Sequence, residues 1–308
     1  MAGLDGTGNG LVNLTGPASS IFESASSIFA EGSETFDNAT INIGAASGTA
    51  VIDNVSVIDG DYNDASVPGA VLTLGTNLIV NHAGLNAALS GEGLFTFVGS
   101  TFSEVGFGGS GIINAGTINA GFNGGSFTID PTSFTNQGTI HSSNGDTVMI
   151  SSPNVTNTGK LWADGGNVVV GSPLGGAGTE EITGAGVMEF AGAVASGQTV
   201  TFDANSTGTL KLDNSPGFAG TVSGLALGNY IDLTDVQFAS LQAPTYTPNA
   251  DNTGGTLTVT DGQHTANIAL LGQYMAGSFA TSADGHGGTL ITDPPPSTQP
   301  PALIPPHA

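Results

Sequence analysis

Ile112-Ile113-Asn114-Ala115-Gly116-Thr117-Ile118 returns as Phe134-Thr135-Asn136-Gln137-Gly138-Thr139-Ile140, and again as Val155-Thr156-Asn157-Thr158-Gly159-Lys160-Leu161. The asparagines stand 22 and then 21 residues apart. In every copy an apolar residue lies two places before the Asn and another four places after it. Between copies comes a glycine corner (Gly124-Gly125, Asn144-Gly145, Gly165-Gly166), then a short run of strand formers. Those runs are Phe127-Thr128-Ile129, Val148-Met149-Ile150 and Val168-Val169-Val170, and a second corner follows at Pro131, Pro153 and Pro173. Short strands with period-2 alternation, punctuated by Gly and Pro at a fixed spacing, define a coiled ribbon rather than a globular sandwich. The predicted fold class is all-β, a parallel β-helix (β-solenoid) with about 21-residue coils, a short N-terminal cap and a disordered Pro-rich tail.

The rest of the chain is divided by its resemblance to this core pattern. Residues 1–35 are rich in Gly and Ser and are expected to cap the first coil, since an uncovered strand edge templates aggregation. Within them Ser19-Ser20-Ile21-Phe22 is echoed by Ser26-Ser27-Ile28-Phe29, a seven-residue spacing that suits one face of a short helix, although the Ser and Ile content also allows strands. Residues 36–190 are expected to form the solenoid with Asn-x-Gly-Thr-Ile coils. Residues 191–293 change wording and read either as further β-coils or as a terminal β cap. Residues 294–308 hold seven of the fifteen prolines and read as a tether, with a ligand for a proline-reading module as the other reading. Dividing 36–293 evenly gives about twelve coils, and at roughly 4.8 Å per coil a rod of about 60 Å. Equivalent residues then stack. Asn114, Asn136 and Asn157 are expected to form an amide ladder, with the Ile positions in the core and the corner glycines at positive φ.

Composition limits the function classes. The only basic side chains are Lys160 and Lys211, against 25 Asp and Glu, for a formal charge of −23. Nucleic acid is excluded as a partner because phosphate recognition needs a basic surface, and anionic membranes and polyuronates are repelled for the same reason. There is no cysteine, so disulfides and thiolate metal sites are excluded. No apolar run reaches about 18 residues, so direct membrane insertion by a helix is not expected. Met1-Ala2-Gly3-Leu4-Asp5-Gly6 has neither a basic n-region nor an apolar h-region, so any export signal is expected elsewhere or in a longer chain.

The candidate chemistry is sparse. Asp59, Asp61 and Asn63 place oxygen ligands at alternate positions of Asp59-Gly60-Asp61-Tyr62-Asn63-Asp64, which suits Ca²⁺, a hard cation that takes six to eight oxygens. The loop departs from an EF-hand at Asp64, where the turn glycine belongs, and at Ala70, where the bidentate Glu belongs; a solvated acidic turn is the alternative. A polysaccharide hydrolase needs only a pair of carboxylates, and Asp146, Asp164, Glu180, Glu181 and Glu189 fall in neighbouring coils without any spacing that selects a pair. A uronate lyase is disfavoured by the shortage of bases. Trp162, the sole tryptophan, reads as a packing residue or as a stacking platform for sugar. His82, His141, His264, His286 and His307 are scattered and mark no zinc site.

The Asn-x-Gly-Thr-Ile coils resemble filamentous-haemagglutinin-like and autotransporter-type β-helices. The run from Glu34-Thr35-Phe36-Asp37-Asn38-Ala39-Thr40-Ile41-Asn42, with Asp261-Gly262-Gln263-His264 and Ser282-Ala283-Asp284-Gly285-His286 further on, is similar to large β-strand-repeat surface proteins of rhizobia and related bacteria. This resemblance covers most of residues 34–293. It implies a secreted or surface-exposed protein acting in adhesion or as repetitive envelope material. The expected function is thus a non-enzymatic β-solenoid scaffold, an adhesin or structural segment, whose partners are glycans or other surface proteins. The alternative is a carbohydrate-active β-helix, a polysaccharide hydrolase or binding module.

Overall fold

A computed structural model describes residues 9–16, 26–58, 69–91, 94–98, 101–106, 110–275 and 277–293. They are all-β, with parallel strand stacks compatible with a β-helix and only two short 3-10 turns, Ser215–Gly217 and Phe238–Ser240. As far as Leu174–Gly176 the chain visits three sheets in constant order; beyond it the parallel strands alternate between the first and second sheets, and only the isolated bridges Leu174–Val194 and Val194–Phe218 continue the third side. Thr117–Ala120 lies in the first sheet, Ser126–Ile129 in the second and Ser133–Asn136 in the third, and Thr139–Ser143 returns to the first beside Thr117–Ala120. Each strand is short because a Gly or Pro corner must turn the chain to the next face.

Register supplies the step of each circuit. In the first sheet Thr117 faces Thr139, which faces Lys160, then Thr179, Thr199 and Thr221. These steps stay close to the 22 and 21 residues of the repeat. Earlier circuits are wider: Gly10 faces Ala39 and Ala39 faces Leu78. One wide circuit carries an antiparallel hairpin, Leu94–Val98 with Thr101–Gly106, hung on the end of Ala50–Ile58. From Ala39 onward the parallel stack of the first sheet therefore holds nine strands among the described residues, against the twelve coils of an even division.

At the N-terminal end, Gly10–Leu14 and Ser27–Glu31 pair in parallel with Ala39–Ile43 and Ala50–Ile58. Ile28 and Phe29 thus lie on a strand and not on a helix, because the open sheet edge offers them backbone partners that an isolated short helix lacks; Ile21 and Phe22 lie outside the described residues. At the other end, residues 191–293 divide between the two expected forms. Thr199–Phe202, Thr209–Leu212, Thr221–Ser223 and Tyr230–Leu233 continue the parallel stacks. Thr265–Leu271 adds one more parallel strand, and then Gly254–Thr260 and Thr245–Pro248 run antiparallel to close the first sheet. Pro244 precedes that last strand and Pro248 ends it, and their missing N–H groups blunt the edge.

The core follows from alternation. Ile41, Val80, Ile118, Ile140, Leu161, Glu180, Val200, Val222 and Leu270 occupy one inward column of the first sheet and are all at most 1% exposed. Eight are aliphatic and one is a carboxylic acid. The second sheet opposes them with Phe127, Val148, Val168, Met188, Leu210 and Ile231. Two kinds of glycine make the winding feasible. Gly124, Gly145 and Gly165 have φ of 68°, 74° and 66°, as the corners require. The glycine of the Asn-x-Gly motif serves a different need: a Cβ on Gly138 would fall on the carbonyl oxygen of Gly116 in the turn below, so the turns stack closely only without a side chain there.

Candidate functional site

Asp59, Asp61 and Asn63, the candidate Ca²⁺ ligands, lie outside the described residues. Among the described residues no group of three or more His, Asp or Glu side chains is placed to hold a metal ion, and no helix is long and apolar enough to cross a membrane.

The motif asparagines form the expected ladder. Each sits at the inward end of a third-sheet strand, where the chain turns and a side-chain amide meets its counterpart one turn away. Asn114 Nδ2 donates to Asn136 Oδ1 and Asn136 Nδ2 to Asn157 Oδ1, both at 2.8 Å, and all three residues are 1% exposed. The ladder begins above Leu74, which has no donor to give, and Asn114 Oδ1 is left without a partner. At the other end Asn157 Nδ2 donates to Glu180 Oε1 at 2.8 Å, and Gln198 crosses over to donate to the carbonyls of Asn157 and Gly175 at 3.0 and 2.7 Å. Burial pushes the Glu180 carboxyl up to about 7, only partly opposed by the Asn157 amide and the Thr199 N–H. Its Oε2 has no hydrogen-bond partner.

A second ladder runs on the outward face of the first sheet. Asn119 Nδ2 donates to Asn81 at 3.0 Å, Asn81 to Asn42 at 3.1 Å and Asn42 to Asn13 at 2.8 Å. The sequence signal is an Asn directly after a β-branched apolar residue, as in Val12-Asn13, Ile41-Asn42, Val80-Asn81 and Ile118-Asn119. Its spacing is irregular because it crosses the wide circuits, so a search for a constant period passes over it.

The same outward column continues into His141, Trp162 and Glu181. The His141 and Trp162 rings stack with centroids 4.1 Å apart. Lys160 Nζ lies 4.1 Å from the Trp162 ring centroid and 2.5 Å from Glu181 Oε2 of the following turn. The Trp162 Nε1–H donates to Thr183 Oγ1 at 2.9 Å, and the Thr183 hydroxyl donates to Asp164 Oδ1 at 2.6 Å. That hydroxyl and His141 hold the Asp164 carboxyl below its usual range. The indole is engaged by its neighbours in the stack, which favours the packing reading of Trp162 over a free sugar platform.

The carboxylates from which a hydrolase would draw are each committed. Asp146 is fully buried; it meets His82 Nδ1 at 2.7 Å and accepts the Phe122 and Thr147 N–H groups at 2.9 and 2.8 Å. His82 Nε2 has no partner, and the ring packs against Phe122 and Phe127. Glu181 pairs with Lys160, Glu189 with Lys211 at 2.9 Å, and Asp164 with His141 at 3.2 Å. Lys211 also reaches Asp213 at 3.4 Å, so both lysines of the chain are ion-paired. Beside Lys211, burial first and then the charges of Asp284 and Asp213 push the Asp232 carboxyl up to about 6, against the pull of Lys211. Three of the histidines serve separate acids: His82 Asp146, His141 Asp164, and His264 Asp261 at 3.3 Å.

No family model matches the chain, and no curated protein matches it significantly.

Proposed function

We propose that this chain is a secreted or surface-displayed β-solenoid scaffold, wound in coils of about 21 residues. It acts as an adhesin or structural segment of a bacterial surface protein of the kind that its Asn-x-Gly-Thr-Ile repeat resembles. The observation that carries this reading is the commitment of the polar side chains to one another along the stack. Two amide ladders tie successive turns together, one inside and one outside. The carboxylates of neighbouring turns are sealed in the core or held by a lysine or histidine. Such an arrangement stiffens a ribbon and leaves long polar faces for contacts spread over many turns.

The partners on this reading are neutral glycans or other surface proteins. With both lysines paired and a formal charge of −23, the scaffold has no cation to offer a phosphate, a uronate or an anionic headgroup. The test is adhesion of beads coated with the full chain to immobilised glycans and to bacterial and host cell surfaces. Retention above beads coated with an equally acidic inert protein is expected, and retention equal to that control overturns adhesion. Release of reducing ends from any polysaccharide incubated with the protein would overturn the non-enzymatic reading in favour of a carbohydrate-active β-helix.

A further inference from the structure

Where the parallel winding gives way to antiparallel strands, a cleft of about 480 Å³ opens beside Thr245–Pro248. It is lined by Tyr246, Pro248, Asn252, Gln273, Tyr274 and Met275, all uncharged. Its volume is in the range that holds a small ligand.

Three observations indicate what that ligand is. First, the cleft has an aromatic wall: Tyr246 lies 6.0 Å from Tyr274 and 5.8 Å from Phe279, and Tyr274 stacks on Phe279 at 5.7 Å and 27°. Second, Tyr246 is 9% exposed, its hydroxyl is not sealed from solvent, and that hydroxyl makes no hydrogen bond among the described residues. The Tyr274 hydroxyl, by contrast, donates to the Leu225 carbonyl at 3.3 Å. Third, the turn beside the cleft is held in place without using the amides that face outward. Asn249 Oδ1 accepts the Thr253 and Gly254 N–H groups at 2.9 and 3.3 Å, and Asn249 Nδ2 donates to Thr253 Oγ1 at 3.0 Å. This sets Asn252 at φ 53°, and the side-chain amides of Asn252 and Gln273 make no hydrogen bond to the described protein.

We infer that this cleft is a binding subsite for a neutral saccharide unit. The partly exposed ring of Tyr274 meets the C–H face of a pyranose, and the Tyr246 hydroxyl with the Asn252 and Gln273 amides meets its hydroxyls. Aromatic faces and uncharged donor–acceptor groups suit a polyol, and no cation is present to hold a carboxylate, sulfate or phosphate. A site built to hydrogen-bond hydroxyls discriminates against analogues that lack them.

This inference rests on the glycan-adhesion reading above and assigns that adhesion one location. The test is saturation-transfer NMR and calorimetry of the full chain with a panel of neutral hexose and N-acetylhexosamine oligosaccharides, alongside acidic counterparts. Binding of at least one neutral oligosaccharide and none of the acidic ones is expected. Tyr246→Phe, which removes only a hydroxyl, should weaken binding about tenfold. Asn252→Gly with Gln273→Ala should abolish it while the melting temperature stays close to that of wild type, since both positions are exposed and Gly accepts the positive φ of residue 252. Absence of neutral saccharide binding, or binding that survives the double variant, overturns the cleft. Beads that adhere to glycans equally with and without the double variant overturn the cleft while leaving adhesion standing. Soluble saccharide binding without bead adhesion supports the cleft and overturns adhesion.

Discussion

Replacing Glu180 with Gln should remove a pH dependence that the wild-type fold cannot avoid. Glu180 occupies an inward column between Leu161 and Val200, with no exposed surface. One carboxyl oxygen accepts the Asn157 amide at 2.8 Å and the other has no partner. No charge helps it, because the lysines are outward and engaged by Glu181, Glu189 and Asp213. Burial therefore dominates and lifts the carboxyl from its ordinary 4.5 to about 7. The folded protein keeps a proton that the unfolded chain has already lost. The stabilising contribution is complete below pH 4.5 and disappears as pH rises through 7. At 1.36 kcal/mol per unit the loss is about 3 kcal/mol. Urea unfolding of wild type and Glu180→Gln should be followed from pH 4.5 to pH 8, and the difference between the two curves read, since general repulsion among the other acids affects both alike. The variant should be indistinguishable or slightly weaker at pH 4.5 and more stable by about 3 kcal/mol at pH 8. Parallel curves for the two proteins across that range would refute the burial argument.

Four other outcomes follow from the same contacts. Asn136→Ala removes the middle rung of the inner ladder, leaving Asn114 Nδ2 and Asn157 Oδ1 without their partners, and should cost about 2–4 kcal/mol in thermal unfolding. Gly138→Ala should abolish soluble expression or lower the melting temperature steeply, because its Cβ meets the Gly116 carbonyl; Gly145→Ala, with open space around it and φ 74°, should cost only about 1–2 kcal/mol on the same assay. Lys160→Gln should change stability by no more than about 1 kcal/mol despite its two short contacts, since Lys160 and Glu181 are 32% and 31% exposed and hydrated; a larger loss in a thermal melt would show that the Trp162 stack depends on the ammonium. If Asp59, Asp61 and Asn63 bind Ca²⁺, excess Ca²⁺ raises the melting temperature and a chelator lowers it; no shift in either direction eliminates that loop as a site.

Much of the core was legible in the repeat itself. The Asn114, Asn136 and Asn157 ladder follows from spacing alone, because near-equal circuits bring equivalent residues together. Glu180 was legible in principle: in Thr179-Glu180-Glu181-Ile182, Ile182 faces inward, and period-2 alternation places Glu180 inward as well. It was hidden because Glu180 and Glu181 look alike as a pair of solvated acids, and only one of them is. The outer ladder was harder to find, since its rungs are 29, 39 and 38 residues apart. His82 and Asp146, 64 residues apart, carry no local sign of each other.

The amino-acid sequence by itself determined the strand content, the parallel stacking of the central strands, the aliphatic column and the inner amide ladder. These are short-range properties: alternation chooses the face, Gly and Pro choose the corners, and a constant spacing makes each turn its neighbour's template. Tertiary structure alone decided how the unequal circuits close, which acid is sealed beside His82, how both lysines are engaged, and where antiparallel strands end the ribbon beside a cleft. Those depend on the register between turns of different length, and register is settled only when whole turns stack and bury their apolar columns together.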